Sequence, residues 1–147
     1  MDVLKMIKLR PNAILPTRAT PGSAGLDLYA CIPEPVTVAA RGHMLIPTGI
    51  AIALPTADWA AFVFARSGLA VKHGLGLLNG VGVIDSDYRG EIAVGLVNQS
   101  DTAYTIQPGE RVAQLVVMPV CLPVPLEVES LAEAERGAGG FGSTGKK

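Results

Sequence analysis

The chain has 147 residues, of which 49% are hydrophobic and 17% are charged. This length suits a single domain, and the composition excludes disorder as the general state. Twelve Lys and Arg residues stand against 13 Asp and Glu residues, a formal net charge of -1, so long-range attraction to nucleic acid or to an anionic membrane is weak, and we expect neither as a partner.

Short apolar stretches separated by turn residues recur along the chain, a pattern typical of an all-β sandwich or barrel. The alternation predicts strands at residues 4–9, 26–30, 36–38, 49–54, 60–65, 81–84, 91–97, 103–106, 112–117 and 124–128. Signals for helices are few.

One short helix is predicted at residues 67–72, with Gly74 ending it. Ser130 with Glu133 three residues later predicts one further helical turn before Arg136. The Gly- and Ser-rich end of the chain cannot pack a core of its own. We therefore divide the chain into a β-barrel domain, residues 1–135, and a flexible C-terminal arm, residues 136–147.

The compartment is predicted from the first residues and from the cysteines. The N-terminal sequence has no apolar core and no small-residue cleavage site of a signal peptide, and no stretch is long enough to cross a bilayer. Cys31 and Cys121 are expected to be buried thiols in a reducing compartment, with a single disulfide as the alternative. These features favour a soluble, cytoplasmic protein.

The densest group of polar residues lies in residues 79–92, NGVGVIDSDYRGEI. Gly80 and Gly82 would let a ligand approach the backbone closely. By itself the segment has two other interpretations: a polar hairpin turn, or a group of carboxylates that binds Mg²⁺.

Three further polar positions have both an ordinary and a functional interpretation. Residues 65–68, Ala-Arg-Ser-Gly, could bind phosphate at a helix start, or could be a serine N-cap beside a surface arginine. Asp27 and Gln114 each lie in an alternating strand. Their ordinary interpretations are a solvent-facing acid and a core glutamine that bonds to the backbone.

The glycine-rich end resembles part of a phosphate-binding loop. The sequence from Gly140 to Lys146 fits G-x-x-x-x-G-K, but Lys147 stands where that loop needs Ser or Thr, so we reject this fold. The same arm carries a cation, a ring and hydroxyls that could close over a phosphorylated ligand. These groups belong to Arg136, Phe141, Ser143 and Thr144.

Five segments in a fixed order resemble the motifs of the trimeric, all-β dUTPase family, the deoxyuridine triphosphate nucleotidohydrolases. They are residues 24–30 (AGLDLYA), 66–74 (RSGLAVKHG), 79–92, 109–116 (GERVAQLV) and 136–145 (RGAGGFGSTG). One departure is Ala65, where this family usually has proline. The resemblance implies a jelly-roll-like β-barrel and a homotrimer. Each of its sites would take motifs one, two and four from one subunit, motif three from a second and the arm from the third.

The resemblance also implies a role for individual residues. Asp85 would be the catalytic base. Uracil and deoxyribose would be bound by Asn79, Gly82, Val83, Ile84, Tyr88 and Phe141. The phosphates would be bound by Arg66, Ser67, Gly68, Gln114, Arg136, Gly142, Ser143 and Thr144. Asp27 and Gln114 would hold Mg²⁺ through water, with no direct protein ligand.

The implied reaction is the Mg²⁺-dependent hydrolysis of dUTP to dUMP and pyrophosphate, with water attacking the α-phosphorus. It would supply dUMP for thymidylate synthesis and keep uracil out of DNA. An aspartate can serve as the base at neutral pH. Three alternatives stay open: a dCTP deaminase on the same fold, a catalytically silent nucleotide-sensing module, and a jelly-roll assembly subunit without a ligand.

Overall fold

The computed structural model describes residues 3–140, and the strands and the helix within this range follow the barrel pattern. The strands are β1 (Lys5–Lys8), β2 (Leu26–Tyr29), β3 (Val36–Val38), β4 (His43–Pro47), β5 (Ile50–Ala53), β6 (Trp59–Phe64), β7 (Leu75–Leu77), β8 (Gly82–Ile84), β9 (Ala93–Asn98), β10 (Tyr104–Ile106) and β11 (Arg111–Pro119). Helix α1 (Ser67–His73) lies between β6 and β7. Over residues 3–140, no helix has the length and apolarity needed to span a membrane.

The strands pair antiparallel in small sheets whose order differs from chain order. The largest sheet has the order β2-β11-β6-β8, a second has the order β4-β9-β7, and β1-β5 and β10-β3 form two-stranded sheets. This confirms the predicted all-β, jelly-roll-like barrel with one short helix. Because β11 lies between β2 and β6, segments far apart in sequence meet at its two edges.

The apolar faces of these sheets meet in one core. Leu28, Ile50, Ile106 and Leu115 have no exposed surface, and they belong to a single cluster of buried side chains. Full burial of an aliphatic side chain of this size stabilises a fold by roughly 1.5–3 kcal/mol. The core therefore holds together the strands that carry the polar residues.

Two strands are absent from the predicted set. Within residues 3–140, both β4 and β7 pair only with β9. Neither shows a recognisable alternation, because β4 ends in Pro47 and β7 is a three-residue Leu-Gly-Leu segment. Pairing with a strong central strand decides their conformation, which a local pattern does not reveal.

Two predicted elements near the C-terminus are wrong. Residues 124–128 form no strand, because Pro123 and Pro125 remove hydrogen-bond donors and no strand lies alongside within residues 3–140. The segment from Ser130 to Arg136 forms no helix. A turn closes instead, with the Gly137 N–H donating to the Ala134 carbonyl at 2.9 Å, since one helical turn without packing is unstable.

The cysteines differ from each other in exposure. Cys31 is buried and Cys121 is exposed, and both are free thiols. The prediction of two buried thiols is therefore wrong for Cys121, and the alternative of a disulfide between them is not formed. The error has the same source as the strand predicted at residues 124–128, because Cys121 lies in the irregular segment that follows β11.

Candidate active site

A cavity of about 230 Å³ lies beside β8, and we call it the β8 cavity. Strands β6, β7 and β9 supply part of its wall through Val63, Leu77 and Val94. The rest is formed largely by predicted site residues, namely Asn79, Gly82, Val83, Ile84, Asp85 and Tyr88. The structure thus brings together the predicted base and the predicted uracil and deoxyribose residues, apart from Phe141, which lies outside the described residues.

Glycines shape the approach to this cavity. Gly80 has a φ of +72°, in the left-handed region that favours glycine, and it turns the chain from β7 into β8. Gly82 pairs with Val63 of β6, and a Cβ on Gly82 would lie 3.1 Å from the Val63 Cβ. Gly82 therefore allows close packing of β8 on Val63, and the approach of a ligand to this backbone stays a prediction.

Asp85 follows β8 and begins a turn. The Tyr88 N–H donates to the Asp85 carbonyl at 3.2 Å, and the Arg89 guanidinium donates to the carbonyls of Ser86 and Tyr88, each at 2.8 Å. The Asp85 side chain is exposed, and none of the ion pairs within residues 3–140 involves it. The carboxylate is therefore open to accept a proton from a water molecule.

The carboxylates of residues 79–92 do not converge on a metal. Glu91 turns away from Asp85, because its Oε1 accepts the Gly49 N–H at 2.7 Å and its Oε2 accepts from the Arg10 guanidinium at 3.0 Å. Across the described part of the chain, no group of three or more His, Cys, Asp or Glu side chains could hold a metal ion. The carboxylates of this segment therefore do not form a metal site of three protein ligands.

A second polar group, which we call the cation cluster, consists of Asp27, Arg66, Arg111 and Gln114. On β11, Gln114 lies opposite Asp27 of β2 on one side and Phe64 of β6 on the other. Arg66 lies two residues after the end of β6. The strand order of the sheet therefore places these side chains together.

The Asp27 carboxylate is shared by two arginines. Its Oδ1 accepts from the Arg66 Nε at 3.0 Å, and its Oδ2 accepts from an Arg111 Nη at 3.2 Å. The Asp27 side chain is only 13% exposed, so the ordinary interpretation of a solvent-facing acid is wrong. Arg111 is absent from the predicted site, although its position three residues before Gln114 in the same motif was an available signal.

Gln114 is bonded to the backbone, as its ordinary interpretation predicts. Its Nε2 donates to the Ala65 carbonyl at 3.0 Å, and its Oε1 lies so close to Gly25 that a Cβ there would be 2.5 Å away. Both Asp27 oxygens already accept from arginines. Each Asp27 oxygen keeps a lone pair that can accept from a water molecule, as does the Gln114 Oε1, so these residues could hold Mg²⁺ through water.

Helix α1 begins beside the cation cluster. The helix continues to His73, and Gly74 ends it in the left-handed conformation, as predicted. Its N-cap is Arg66, and no side-chain capping bond forms, so the interpretation of Ser67 as an N-cap is wrong. Ser67 and Gly68 are both exposed, and the space around the Gly68 Cα is open.

The described residues of one chain do not join the two groups. None of Asp27, Arg66, Ser67, Gly68 and Gln114 lines the β8 cavity within residues 3–140. In the arm, the Arg136 Nε donates to the Gly139 carbonyl at 2.7 Å. The predicted phosphate residues Gly142, Ser143 and Thr144 lie outside the described residues, as does Phe141.

Comparison with known proteins gives one consistent result. The family model described as dUTPase matches residues 11–145. A protein of Desulfitobacterium hafniense named deoxyuridine 5'-triphosphate nucleotidohydrolase is 53% identical over 131 residues, covering 89% of this chain and 87% of that protein. A protein of the same name from Ralstonia nicotianae is 49% identical over 146 residues, covering 99% and 98%.

The comparison of folds, like the comparison of sequences, finds dUTPases. The structure of the Staphylococcus bacteriophage 80alpha dUTPase with dUpNHpp superimposes with a TM-score of 0.88 at 28% identity, covering 97% of this chain and 98% of that chain. The fold agrees with this structure, and the sequence with these relatives, over nearly the whole length. The chain therefore belongs to the dUTPase family.

Proposed function

We propose that this protein is a dUTP diphosphatase, which hydrolyses dUTP to dUMP and pyrophosphate. The observation that carries the proposal is the β8 cavity, where the exposed carboxylate of Asp85 stands beside Asn79 and the Tyr88 ring in a chain of the dUTPase family. Relatives named for this activity cover nearly the whole chain, which supports the same substrate.

Asp85 acts as the general base. It takes a proton from a water molecule whose oxygen bonds to the α-phosphorus, while the bond from the α-phosphorus to the bridging oxygen breaks and pyrophosphate leaves with the electron pair. Asn79 and the backbone of Gly82 to Ile84 bind the uracil edge. Tyr88 stacks under the deoxyribose and leaves no room for a 2′-hydroxyl.

The phosphates are bound by groups with opposite charge or free N–H donors. Arg66, Ser67 and Gly68 bind them at the start of α1, and Arg136 of the arm reaches the terminal phosphate. Gln114 contributes from β11. Asp27 and Gln114 would hold Mg²⁺ through water, and the bound ion would supply further neutralisation of the triphosphate charge.

The active unit is a homotrimer in which each site is shared between subunits and is closed by an arm, residues 136–147, extending from the barrel domain, residues 1–135. The separation of the β8 cavity from the cation cluster supports this arrangement, because a nucleotide needs both. Leu122, Val124 and Leu126 are each more than two-thirds exposed, which suits a subunit interface. Light scattering at micromolar concentration should give the mass of three chains, and a monomeric mass would contradict the shared site.

We place the protein in the cytoplasm, where its product supplies thymidylate synthesis and its activity keeps uracil out of DNA. The direct test supplies purified protein and Mg²⁺ with dUTP, dCTP, dTTP or UTP, and measures pyrophosphate and ammonia. Pyrophosphate from dUTP alone is expected. Intact dUTP would contradict the proposal, and ammonia released from dCTP would identify a deaminase.

The base is tested by Asp85→Asn, with Asp87→Asn as the matched control. Loss of a general base lowers kcat by roughly 10²- to 10⁴-fold, and binding of dUTP should persist. Asp87 is an exposed acid in the same turn but does not line the β8 cavity. The Asp87→Asn variant should therefore hydrolyse dUTP with the wild-type kcat. Normal turnover in Asp85→Asn would overturn the assignment of the base.

A further inference from the structure

Glu91 lines the β8 cavity, but its carboxylate is engaged elsewhere. It accepts the Gly49 N–H at 2.7 Å and the Arg10 guanidinium at 3.0 Å. Gly49 is buried and has a φ of +68°, and a Cβ there would lie 2.7 Å from the Ala13 Cβ. The Glu91 carboxylate thus satisfies a buried backbone donor in the β4–β5 turn, which has little access to water.

Ile92, the residue after Glu91, is also bound to the β4–β5 turn. The Ile92 N–H donates to the Ile50 carbonyl at 2.8 Å, and the Ile92 carbonyl accepts the Thr48 hydroxyl at 2.6 Å. The Ile92 side chain is buried in the core. Residues 91 and 92 are therefore fixed to the β4–β5 turn by one side chain and by the main chain, so the direction of the Glu91 carbonyl is set from both sides.

That carbonyl holds the ring of Tyr88. The Tyr88 hydroxyl donates to the Glu91 carbonyl at 3.0 Å. The ring lies against Gly90, where a Cβ would fall 2.6 Å from the ring Cζ. Tyr88 is 46% exposed, so packing alone holds this ring less firmly than a core side chain. The hydroxyl bond is what fixes its outer end.

We propose that Glu91 is a positioning residue for sugar discrimination, because its carboxylate fixes the carbonyl that orients Tyr88. The inference rests on the proposed function, in which the Tyr88 ring excludes the 2′-hydroxyl of a ribonucleotide. To exclude a group as small as the 2′-hydroxyl, the Tyr88 ring must stay in place, since a displacement of about 1 Å is enough to change reactivity strongly. The Arg10 and Gly49 contacts supply this rigidity from outside the cavity.

The measurement is the ratio of kcat/KM for dUTP to kcat/KM for UTP. Glu91→Ala should lower this ratio by roughly tenfold, which lies within the range that small steric differences produce. Glu91→Gln keeps an oxygen acceptor for the Gly49 N–H, and should lower the ratio by less than about threefold. Asp101→Ala, the control, removes an exposed ion pair to Arg41 and should leave the ratio unchanged.

Two Tyr88 variants separate this inference from the proposed function. If Tyr88→Ala leaves the ratio unchanged, Tyr88 does not exclude the 2′-hydroxyl, and both proposals fail together. If Tyr88→Ala abolishes discrimination but Glu91→Ala keeps the wild-type ratio, only the role of Glu91 is overturned.

Tyr88→Phe tests the hydroxyl bond without touching Glu91, and so covers the case in which Glu91→Ala does not fold. It should lower the ratio at least as far as Glu91→Ala does, by roughly tenfold, and a wild-type ratio would overturn the inference. In the double variant Tyr88→Phe/Glu91→Ala, the second change should add nothing to the ratio, because the bond through which Glu91 acts is already gone. An additive loss would also overturn it.

Discussion

The β8 cavity and the cation cluster are built in opposite ways. The cavity takes its predicted site residues from one stretch, residues 79–88, held by main-chain bonds and by glycines. The cation cluster joins side chains 39 and 84 positions apart in sequence through ion pairs to Asp27. One is a local structure completed by packing, and the other exists only because β11 lies between β2 and β6.

In the proposed function, this difference separates recognition of the nucleoside from binding of the phosphates. The β8 cavity is lined by backbone, aliphatic and polar groups and the Tyr88 ring, so its binding of an uncharged nucleoside should depend little on salt, because such contacts are short-ranged. The arginines of the cation cluster are partly exposed, so their attraction for a triphosphate is screened as ionic strength rises. Variants should therefore fall into two classes, those that change base or sugar selectivity and those that change use of the triphosphate.

Among changes to the groups assigned to the phosphates, removal of the arm, residues 136–147, should lower kcat the most. In the proposed function the deletion takes away Arg136 and the hydroxyls of Ser143 and Thr144, all assigned to the phosphates, and loss of a comparable cationic group lowers kcat by roughly 10³-fold or more. Steady-state kinetics measures the loss of kcat, and thermal unfolding measures Tm, which should barely change. Deletion of residues 146–147 alone is the control, and a normal kcat without the whole arm would remove the arm from the mechanism.

Arg66→Lys should come next in size. Lysine keeps the charge but lacks the planar pair of donors that binds Asp27 and a phosphate together. We expect kcat/KM for dUTP to fall by about 10²-fold, whereas binding of deoxyuridine, which has no phosphate, should be unchanged in calorimetry. Equal losses for both ligands would show that the cavity and the cation cluster are not separable. Arg41→Lys, at an exposed ion pair, is the control.

Gly25→Ala should have a smaller effect on the same cluster. The new methyl group would lie 2.5 Å from the Gln114 Oε1 and 3.2 Å from its Cβ, so Gln114 must move and its bond to the Ala65 carbonyl weakens. Loss of one such polar contact lowers kcat/KM by roughly tenfold. Gly22→Ala is a matched control, since nothing lies within 4 Å of a Cβ there. Equal activity of the two variants would contradict a role for the Gln114 position.

The smallest expected effect concerns a site outside both regions. Burial, together with the hydrogen bond to Glu110 and the charge of that carboxylate, raises the pKa of Tyr104 to about 12. The folded protein thus holds this proton more tightly than the unfolded chain does. The resulting stability is complete below pH 10, the ordinary pKa, and is lost as the pH rises towards 12.

Tyr104→Phe should therefore lower the free energy of unfolding at pH 8 by about 1 kcal/mol, and should flatten its decline above pH 10. Urea unfolding at fixed protein concentration measures both quantities. Tyr29→Phe, which removes a phenol bonded to the Thr17 hydroxyl, is the control and should keep the wild-type decline. An unchanged pH profile in Tyr104→Phe would contradict the role of the Glu110 contact.

Local chemistry made part of the site predictable. The stretch singled out by its glycines and polar residues lines the β8 cavity, and the Asp-Ser-Asp-Tyr turn after an apolar strand places Asp85 and Tyr88 in the same cavity wall. The helix at Ser67–His73 was equally predictable from the sequence, because Gly74, the glycine that ends it, acts on neighbouring residues. The strand at Val36–Val38 formed at its predicted bounds for a similar reason.

The features that could not be predicted from the sequence depend on which strands become neighbours. Only the order β2-β11-β6 shows that Asp27 is paired with Arg66 and Arg111 instead of facing solvent. Only the contact between the β4–β5 turn and residues 91 and 92 shows what Glu91 holds. The same dependence explains β4 and β7, whose conformation comes from pairing with β9.

The amino-acid sequence by itself determined the all-β character, the short helix, the family and the polar stretch that lines the cavity. These follow from alternation, turn residues and motif order, all of which act over a few residues. The tertiary structure decided the ion pairs of Asp27, the support of Tyr88 by Glu91 and the exposure of Cys121. Each of these depends on contacts between segments far apart in sequence, because strand pairing and packing set which side chains meet.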